Sequence, residues 1–270
     1  QRQDNGLSVQ GAIEAAAAAF VNAPVAVSGA GRTDAGVHAT GQAAHLDVPV
    51  RFSANRVQEA LNAHLAELPI TIRTAQDVAA DFHARFDAIG RRYLYRILPQ
   101  RQRPALDRGR VWHHKLPLDA ERMAEAARYL VGRHDFTSFR ATHCQADSPV
   151  RTLDRLDVKT AGAEIHIHAE ARSFLHHQVR NITGSLALVG VGKWQPDDIP
   201  KILAAADRRM AGPTAPAEGL YLVGVDYPAP PTRDWSTINS PRSIIKDSTT
   251  RPAATPPPFP IMSRPRRHSQ

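Results

Sequence analysis

The chain has 270 residues, of which 42% are hydrophobic and 22% charged, so it can form one large or two small packed domains. No apolar run approaches the roughly 20 residues of a membrane-spanning helix, and no leader peptide is recognisable. The single cysteine, Cys144, excludes an intrachain disulfide, which predicts a cytoplasmic protein. The net charge of +8 favours a polyanionic partner such as a nucleic acid, but residues 229–270 contribute +5 of it through seven Lys/Arg and two Asp.

Hydrophobic periodicity predicts a mixture of helices and strands as far as Pro228. In chain order these are a helix over 7–21, strands over 25–28 and 42–48, a helix over 53–65, strands over 70–75 and 91–98, a helix over 119–131, strands over 153–159 and 164–171, helices over 174–191 and 197–206, and a strand over 220–227. The elements lack a regular βαβ rhythm, which favours an α+β fold. Nine of the 21 prolines lie beyond Pro228, and this composition predicts a disordered tail over 229–270.

A glycine-rich loop between the first two predicted strands is the most informative segment. Three glycines in residues 29–36 permit unusual backbone angles and close approach of a ligand, and Asp34 lies among them. The loop fits a dinucleotide-binding fingerprint poorly, because a carboxylate at the place of the third glycine would repel a pyrophosphate. Taken alone, the residues fit a tight turn in which Asp34 caps a helix or forms a salt bridge.

Longer motifs point to a particular family. Residues 31–42, Gly-Arg-Thr-Asp-Ala-Gly-Val-His-Ala-Thr-Gly-Gln, resemble the signature of the TruA family of tRNA pseudouridine synthases. Further motifs agree in order over about residues 1–228, at 81–86 (Asp-Phe-His-Ala-Arg-Phe), 91–95 (Arg-Arg-Tyr-Leu-Tyr), 135–140 (Asp-Phe-Thr-Ser-Phe-Arg), 174–182 (Phe-Leu-His-His-Gln-Val-Arg-Asn-Ile) and 217–222 (Ala-Glu-Gly-Leu-Tyr-Leu).

The resemblance implies an architecture. Two similar, RRM-like α/β halves over 1–80 and 81–228 would form a continuous antiparallel sheet with a basic central cleft, and the protein would be a homodimer. The family normally begins with a strand that carries Tyr-Asp-Gly, which is absent before Gln1 in this sequence, so an unpaired sheet edge is expected in the first half.

The resemblance also implies an activity, the isomerisation of uridine to pseudouridine in the anticodon stem-loop of tRNA at positions 38, 39 and 40, without a cofactor. Asp34 matches the catalytic carboxylate, which acts as a nucleophile or as a base. Arg32 matches the residue that helps to flip the target base, and Tyr93 matches the active-site tyrosine. Arg180 matches an arginine that pairs with the carboxylate. Without the resemblance, core packing would explain Tyr93, and a solvated helix face would explain Arg180.

Arginines near the second half of the chain suit RNA phosphates. The local basic cluster comprises Arg85, Arg91, Arg92, Arg96, Arg101, Arg103, Arg108 and Arg110. From their family positions we expect Arg85 and Arg101 to contact tRNA, together with His83. Each of the others, taken singly, is a candidate surface charge.

Two other functions stay open at this stage. One is a catalytically impaired tRNA-binding fragment of the same family, and the other is an unrelated α/β enzyme that binds a nucleotide through the glycine-rich loop. The 13 histidines lack a His-Glu-x-x-His motif or a cysteine pair, so no metal site is predicted, despite the adjacent His176 and His177.

Overall fold

The computed structural model describes residues 8–142, 144–228 and 242–245. Its helices are α1 Val9–Val21, α2 Ala54–His64, α3 Ala120–Arg128, α4 Gln178–Gly190 and α5 Asp198–Ala205. Its strands are β1 Val27–Gly29, β2 His38–Ala39, β3 Ala44–Asp47, β4 Ala75–Val78, β5 Gly90–Pro99, β6 Trp112–His114, β7 Gly132–Asp135, β8 Val150–Ala161, β9 Glu164–Ala171, β10 Leu220–Asp226 and β11 Arg242–Ile245. The predicted mixture of helices and strands is therefore present.

The described strands form two sheets. Four strands lie in the order β1-β3-β11-β4, and seven belong to a sheet of order β2-β10-β5-β9-β8-β7, with β6 paired to one end of β5. This corrects the prediction of one continuous antiparallel sheet. The pairs β2–β10 and β5–β6 are also parallel, whereas the remaining pairs are antiparallel.

Each sheet is covered by helices with its own apolar core. Helices α1 and α2 pack over the four-stranded sheet, where Leu46 and Leu61 are almost fully buried. Helices α3 and α4 pack together over the larger sheet, around Tyr95 and Ile182. The larger sheet thus has the larger core, and α4 is its central helix.

Short polar side chains determine where the first three helices begin. Ser8, Ser53 and Asp119 accept hydrogen bonds from backbone N–H groups in the first turns of α1, α2 and α3, respectively. Helix α1 ends at Asn22, which takes a left-handed conformation and donates its backbone N–H to Ala18. The sequence predicts Ser53 and Asp119 as the caps of α2 and α3, and both are confirmed.

Two predicted boundaries are wrong for local reasons. The strand predicted over 70–75 lies at β4 instead, because the side-chain amide of Asn62 exchanges two hydrogen bonds with the backbone of Ile72 and so satisfies the groups that a sheet would use. Helix α4 begins at Gln178 rather than at Phe174, because His177 has a positive φ of 61° that a right-handed helix does not accommodate.

The tail contributes one strand. Strand β11, which belongs to the segment predicted to be disordered, pairs antiparallel with β3 on one side and with β4 on the other. It corrects that prediction for four residues, because β3 and β4 offer backbone groups that a strand can satisfy. The expected unpaired edge is therefore not found at β3. The rest of the tail lies outside the described residues.

Candidate active site

Asp34 lies in a loop that leaves the four-stranded sheet and joins the larger one. The loop starts where β1 ends and turns back at Asp34, whose carbonyl accepts the N–H of Val37 at 3.0 Å. Gly36 makes this turn possible, since its φ of 83° is one that residues with a Cβ rarely adopt. The chain then enters β2, which pairs with β10 of the larger sheet.

Hydrogen bonds fix both ends of the loop. The N–H of Ala30 donates to Ala43 at 2.8 Å, and the side-chain amide of Gln42 donates to the carbonyl of Gly31 at 2.9 Å. The backbone of Gly41 lies so close to the carbonyl of Val223 that a Cβ at this position would collide with it. The glycine-rich segment is therefore an ordered turn that presents Asp34 to the larger sheet.

The carboxylate of Asp34 forms an ion pair with Arg180 of α4. Nη1 of Arg180 lies 2.8 Å from Oδ2 of Asp34, while Nε of the same guanidinium donates to the carbonyl of Ala215 at 2.8 Å. The side chains are 14% and 27% exposed, so the pair is shielded from water but accessible from one side. A guanidinium fixed at both ends holds the carboxylate in one orientation.

Two histidines also reach Asp34, a role that was missed from the sequence. Nε2 of His176 lies 3.2 Å from Oδ1, and Nε2 of His177 lies 3.1 Å from Oδ2. The two rings are 3.9 Å apart. Burial lowers the pKa of His177, against the opposing effect of Asp34, so its imidazole favours the neutral form. The only sequence signal was that the two histidines are adjacent within the motif that contains Arg180.

Tyr93 lies beside this cluster on β5. Its ring meets the ring of Phe174 edge to face, with centroids 5.1 Å apart. The pKa of Tyr93 is raised to about 12. Burial is the main cause, the positive charge of Arg91 opposes it, and the negative charge of Asp34 adds to it. The phenol is therefore neutral at physiological pH and can donate a hydrogen bond.

Arg91, a member of the basic cluster and by itself a candidate surface charge, is instead turned inward. Its guanidinium donates to four backbone carbonyls, those of Ala30, Arg85, Ala88 and Arg172, at 2.6–3.1 Å. Burial lowers its pKa. Arg91 thus connects the start of the Asp34 loop to the segment that carries His83 and to the end of β9.

Two more arginines of the cluster have protein partners. Arg92 pairs with Asp226 at 3.1 Å, and Arg96 forms two short hydrogen bonds with Glu164. The prediction that these residues belong to a phosphate-binding cluster is therefore weakened, because their charges are already paired.

The other predicted RNA-contacting residues differ in their surroundings. Arg32, Arg85 and Arg101 are exposed, and none of the three has an ion pair within the described part of the chain. Arg32 is in the Asp34 loop, whereas Arg101 follows β5. His83 is half-buried, and its ring accepts the backbone N–H of Arg85 at 3.1 Å, so it also stabilises a turn.

The cluster has donor atoms that metal ions bind, although no metal was predicted. Asp34, His176 and His177 place one such atom each within 4.8 Å of one another. The guanidinium of Arg180 contacts the same carboxylate, and its charge would repel a cation there. The ion pair therefore fits a free carboxylate better than a metal ligand.

The fold is a mixed α/β structure, and its candidate site centres on one carboxylate that three side chains contact. Comparison with known families places it more narrowly. The family described as tRNA pseudouridine synthase matches residues 1–87 and 126–228, which is more than half of the chain and includes Asp34, His176, His177 and Arg180. The chain belongs to the tRNA pseudouridine synthase family.

Individual relatives agree with this assignment. A protein of Paramagnetospirillum magneticum named tRNA pseudouridine synthase A is 58% identical over 229 residues, covering 85% of this chain and 90% of the relative. Proteins with the same name from Rhodospirillum rubrum and Caulobacter vibrioides are 56% and 57% identical, over 84% and 82% of this chain and over 82% and 89% of the relatives. Within the described ranges, no helix has the length and apolarity that crossing a bilayer requires.

Proposed function

We propose that this chain converts uridine to pseudouridine in the anticodon stem-loop of tRNA, at positions 38, 39 and 40, with Asp34 as the catalytic carboxylate. The substrate class follows the names of the relatives, and the ion pair between Asp34 and Arg180 is the observation that carries the assignment of the residue. An exposed loop carboxylate without fixed partners would be a poor candidate, since catalysis needs a group held in one orientation.

The reaction needs little besides such a carboxylate. The bond between N1 of uracil and C1′ of ribose breaks, the base turns, and C5 joins C1′; C5 loses a proton and N1 gains one, so the product is an isomer. Asp34 either attacks C1′ to form a covalent adduct or acts as a base on a route through a glycal. In both cases we assign contact with the uracil ring to Tyr93, whose neutral phenol can donate a hydrogen bond.

The target base must leave the RNA stack to reach Asp34. We assign help in this step to Arg32, because it is exposed and lies two residues before Asp34. Arg85, Arg101 and His83 are proposed to contact the RNA backbone. Arg85 and Arg101 support this proposal because both are exposed and neither has an ion pair within the described ranges.

The test of the activity is release of tritium from tRNA labelled at C5 of uridine, measured for the full chain and for Asp34→Asn. The amide has the size of the carboxylate but is neither nucleophile nor base, so we expect turnover to fall on the order of 1000-fold or more. tRNA affinity, measured by filter binding, should change by no more than about twofold. Asp77→Asn is the control, because Asp77 is exposed on β4, away from the site.

The outcomes separate the candidate functions. Turnover that survives in Asp34→Asn at the wild-type rate would refute the catalytic assignment. A wild-type chain that binds tRNA but releases no tritium would be a catalytically impaired binding fragment. A chain that neither binds tRNA nor releases tritium, but binds a nucleotide, would instead be an enzyme that binds the nucleotide through its glycine-rich loop.

Three finer features belong to the same proposal. The modified positions can be mapped by carbodiimide labelling and primer extension, and modification elsewhere than in the anticodon stem-loop would correct the substrate site. We also propose that residues 1–80 and 81–228 act as two halves of one enzyme, with β11 of the tail completing the sheet of the first half, and that the enzyme is a homodimer. Sedimentation of the full chain tests the dimer, which a purely monomeric species would contradict.

A further inference from the structure

The backbone of His177 is unusual for its position. Within the described ranges, three residues other than glycine have a positive φ: Asn22, His177 and Ala206. Asn22 and Ala206 end α1 and α5, where a left-handed residue is a common helix terminator. His177 instead precedes the first residue of α4, where the usual conformation is extended. A left-handed L residue is strained, so this exception requires a reason.

The side chain of His177 supplies that reason. It makes no capping hydrogen bond to α4, so it does not stabilise the start of the helix. Its ring points instead to Asp34, with Nε2 3.1 Å from Oδ2, and is 27% exposed. Strain maintained at a residue that contacts a reactive group is a recognised feature of functional sites.

The two oxygens of Asp34 are held differently. Oδ2 contacts both Arg180 at 2.8 Å and His177 at 3.1 Å. Oδ1 contacts only His176 among these three side chains, at 3.2 Å, and His176 is the most exposed of them, at 48%. Oδ2 is therefore anchored in the protein, while a substrate could reach Oδ1 by displacing one exposed imidazole.

We propose that His177 is a positioning residue, whose strained backbone directs its imidazole to Oδ2 of Asp34 and so leaves Oδ1 as the reacting oxygen. This inference rests on the proposed function of Asp34. Nε2 of His177 lies 3.1 Å from Oδ2, and Nη1 of Arg180, one turn later on α4, donates a hydrogen bond to it at 2.8 Å. A second side chain in contact with Oδ2 restricts rotation of the carboxylate further than the ion pair with Arg180 alone.

The chain offers a variant that separates this role from a structural one. His177→Gly removes the imidazole and also removes the strain, because glycine adopts a positive φ freely. We expect an unchanged or raised Tm together with a kcat lowered by about tenfold or more, because a reacting group out of position is costly in rate. The KM for tRNA should stay within about twofold, since the RNA contacts are unaffected.

Two further variants complete the experiment. Ala206→Gly relieves the same kind of strain at the end of α5, so it should leave Tm unchanged or raised and kcat unchanged. His177→Asn keeps an N–H donor on a residue that tolerates the left-handed conformation, so its kcat should lie between those of wild type and His177→Gly. Wild-type kcat in His177→Gly, or a joint loss of Tm and kcat, would overturn the proposal.

A second measurement does not depend on turnover. Histidine ¹⁵N–¹³C correlation spectra of the full chain report which ring nitrogen carries the proton. We expect a neutral His177 protonated at Nε2 whose signal shifts in Asp34→Ala; an unprotonated Nε2, or a signal insensitive to Asp34→Ala, would refute the contact. If Asp34→Asn is inactive while His177→Gly is fully active, only the positioning role fails; if Asp34→Asn is active, the proposed function itself fails.

Discussion

The two parts of the site are built from opposite kinds of structure. Asp34 comes from a glycine-rich turn in which most residues are exposed or half-buried. Its partners come from α4 and the two residues before it, and eleven of the thirteen residues of that helix are buried. The candidate catalytic carboxylate thus lies on an element with little packing of its own, and the side chains that contact it lie on or just before a helix that is almost wholly buried. The orientation of the Asp34 carboxylate therefore depends on side chains outside its own loop.

The largest effect on kcat is expected from substitution of Arg180 on α4. Arg180→Ala removes the ion pair with Asp34 and leaves the carbonyl of Ala215 without this donor, so we expect kcat to fall by about 100-fold or more in the tritium assay. Arg180→Lys is the matched control, because it keeps the charge but cannot bind both partners, and it should retain intermediate activity. A kcat for Arg180→Ala within about twofold of wild type would show that the pair is not needed.

A pair of glycine substitutions compares the packing of the two parts directly. At Gly184 of α4 an added Cβ would meet the backbone carbonyl of Pro213, whereas at Gly31 in the loop it would meet open space. We expect Gly184→Ala to lower the free energy of unfolding by about 3 kcal/mol and Gly31→Ala to change it by less than about 0.5 kcal/mol. Urea denaturation measures both free energies of unfolding. Equal losses in the two variants would contradict the difference in packing between α4 and the loop.

The connection between the parts can be weakened at Arg91. Arg91→Lys keeps a positive charge but cannot reach four carbonyls, so we expect a loss of about 2 kcal/mol in the free energy of unfolding. Arg92→Lys is the neighbouring control. Its partner Asp226 is exposed, as is Arg92 itself, and its loss should be below about 1 kcal/mol. Equal losses in the two variants would mean that the inward contacts of Arg91 contribute little.

The smallest effect concerns pH and Tyr93. Because its pKa is about 12 in the fold and 10.0 as the reference value, the neutral phenol stabilises the fold fully below pH 10, and this contribution is lost as pH rises through 12. The Tyr93→Phe variant cannot ionise at this position, so its free energy of unfolding should fall less steeply with rising pH than that of the wild type. The difference should reach about 1 kcal/mol at pH 11. Denaturation series from pH 8 to 11 compare the two, and parallel curves would contradict the raised pKa of Tyr93.

Local sequence patterns predicted helices and strands correctly where the side chains of a segment determine its structure by themselves. The caps at Ser53 and Asp119 and the alternation of β5 and β9 follow from side chains that act on their own segment. The strand predicted over 70–75 failed, because Asn62 is ten residues away and no local rule reports its hydrogen bonds to Ile72. The same limit applied to Arg91, whose four acceptors come from distant segments.

The sequence by itself determined the mixture of helices and strands, the caps of α2 and α3, and the motifs that resemble the family signature and single out Asp34. Only the tertiary structure decided that the strands form two sheets, that β11 lies between β3 and β4, and that His176 and His177 reach Asp34. Caps and periodicity depend on residues a few positions apart. The pairings β2–β10 and β3–β11 and the partners of Asp34 join segments more than 100 residues apart, whose meeting is governed by the packing of the whole chain.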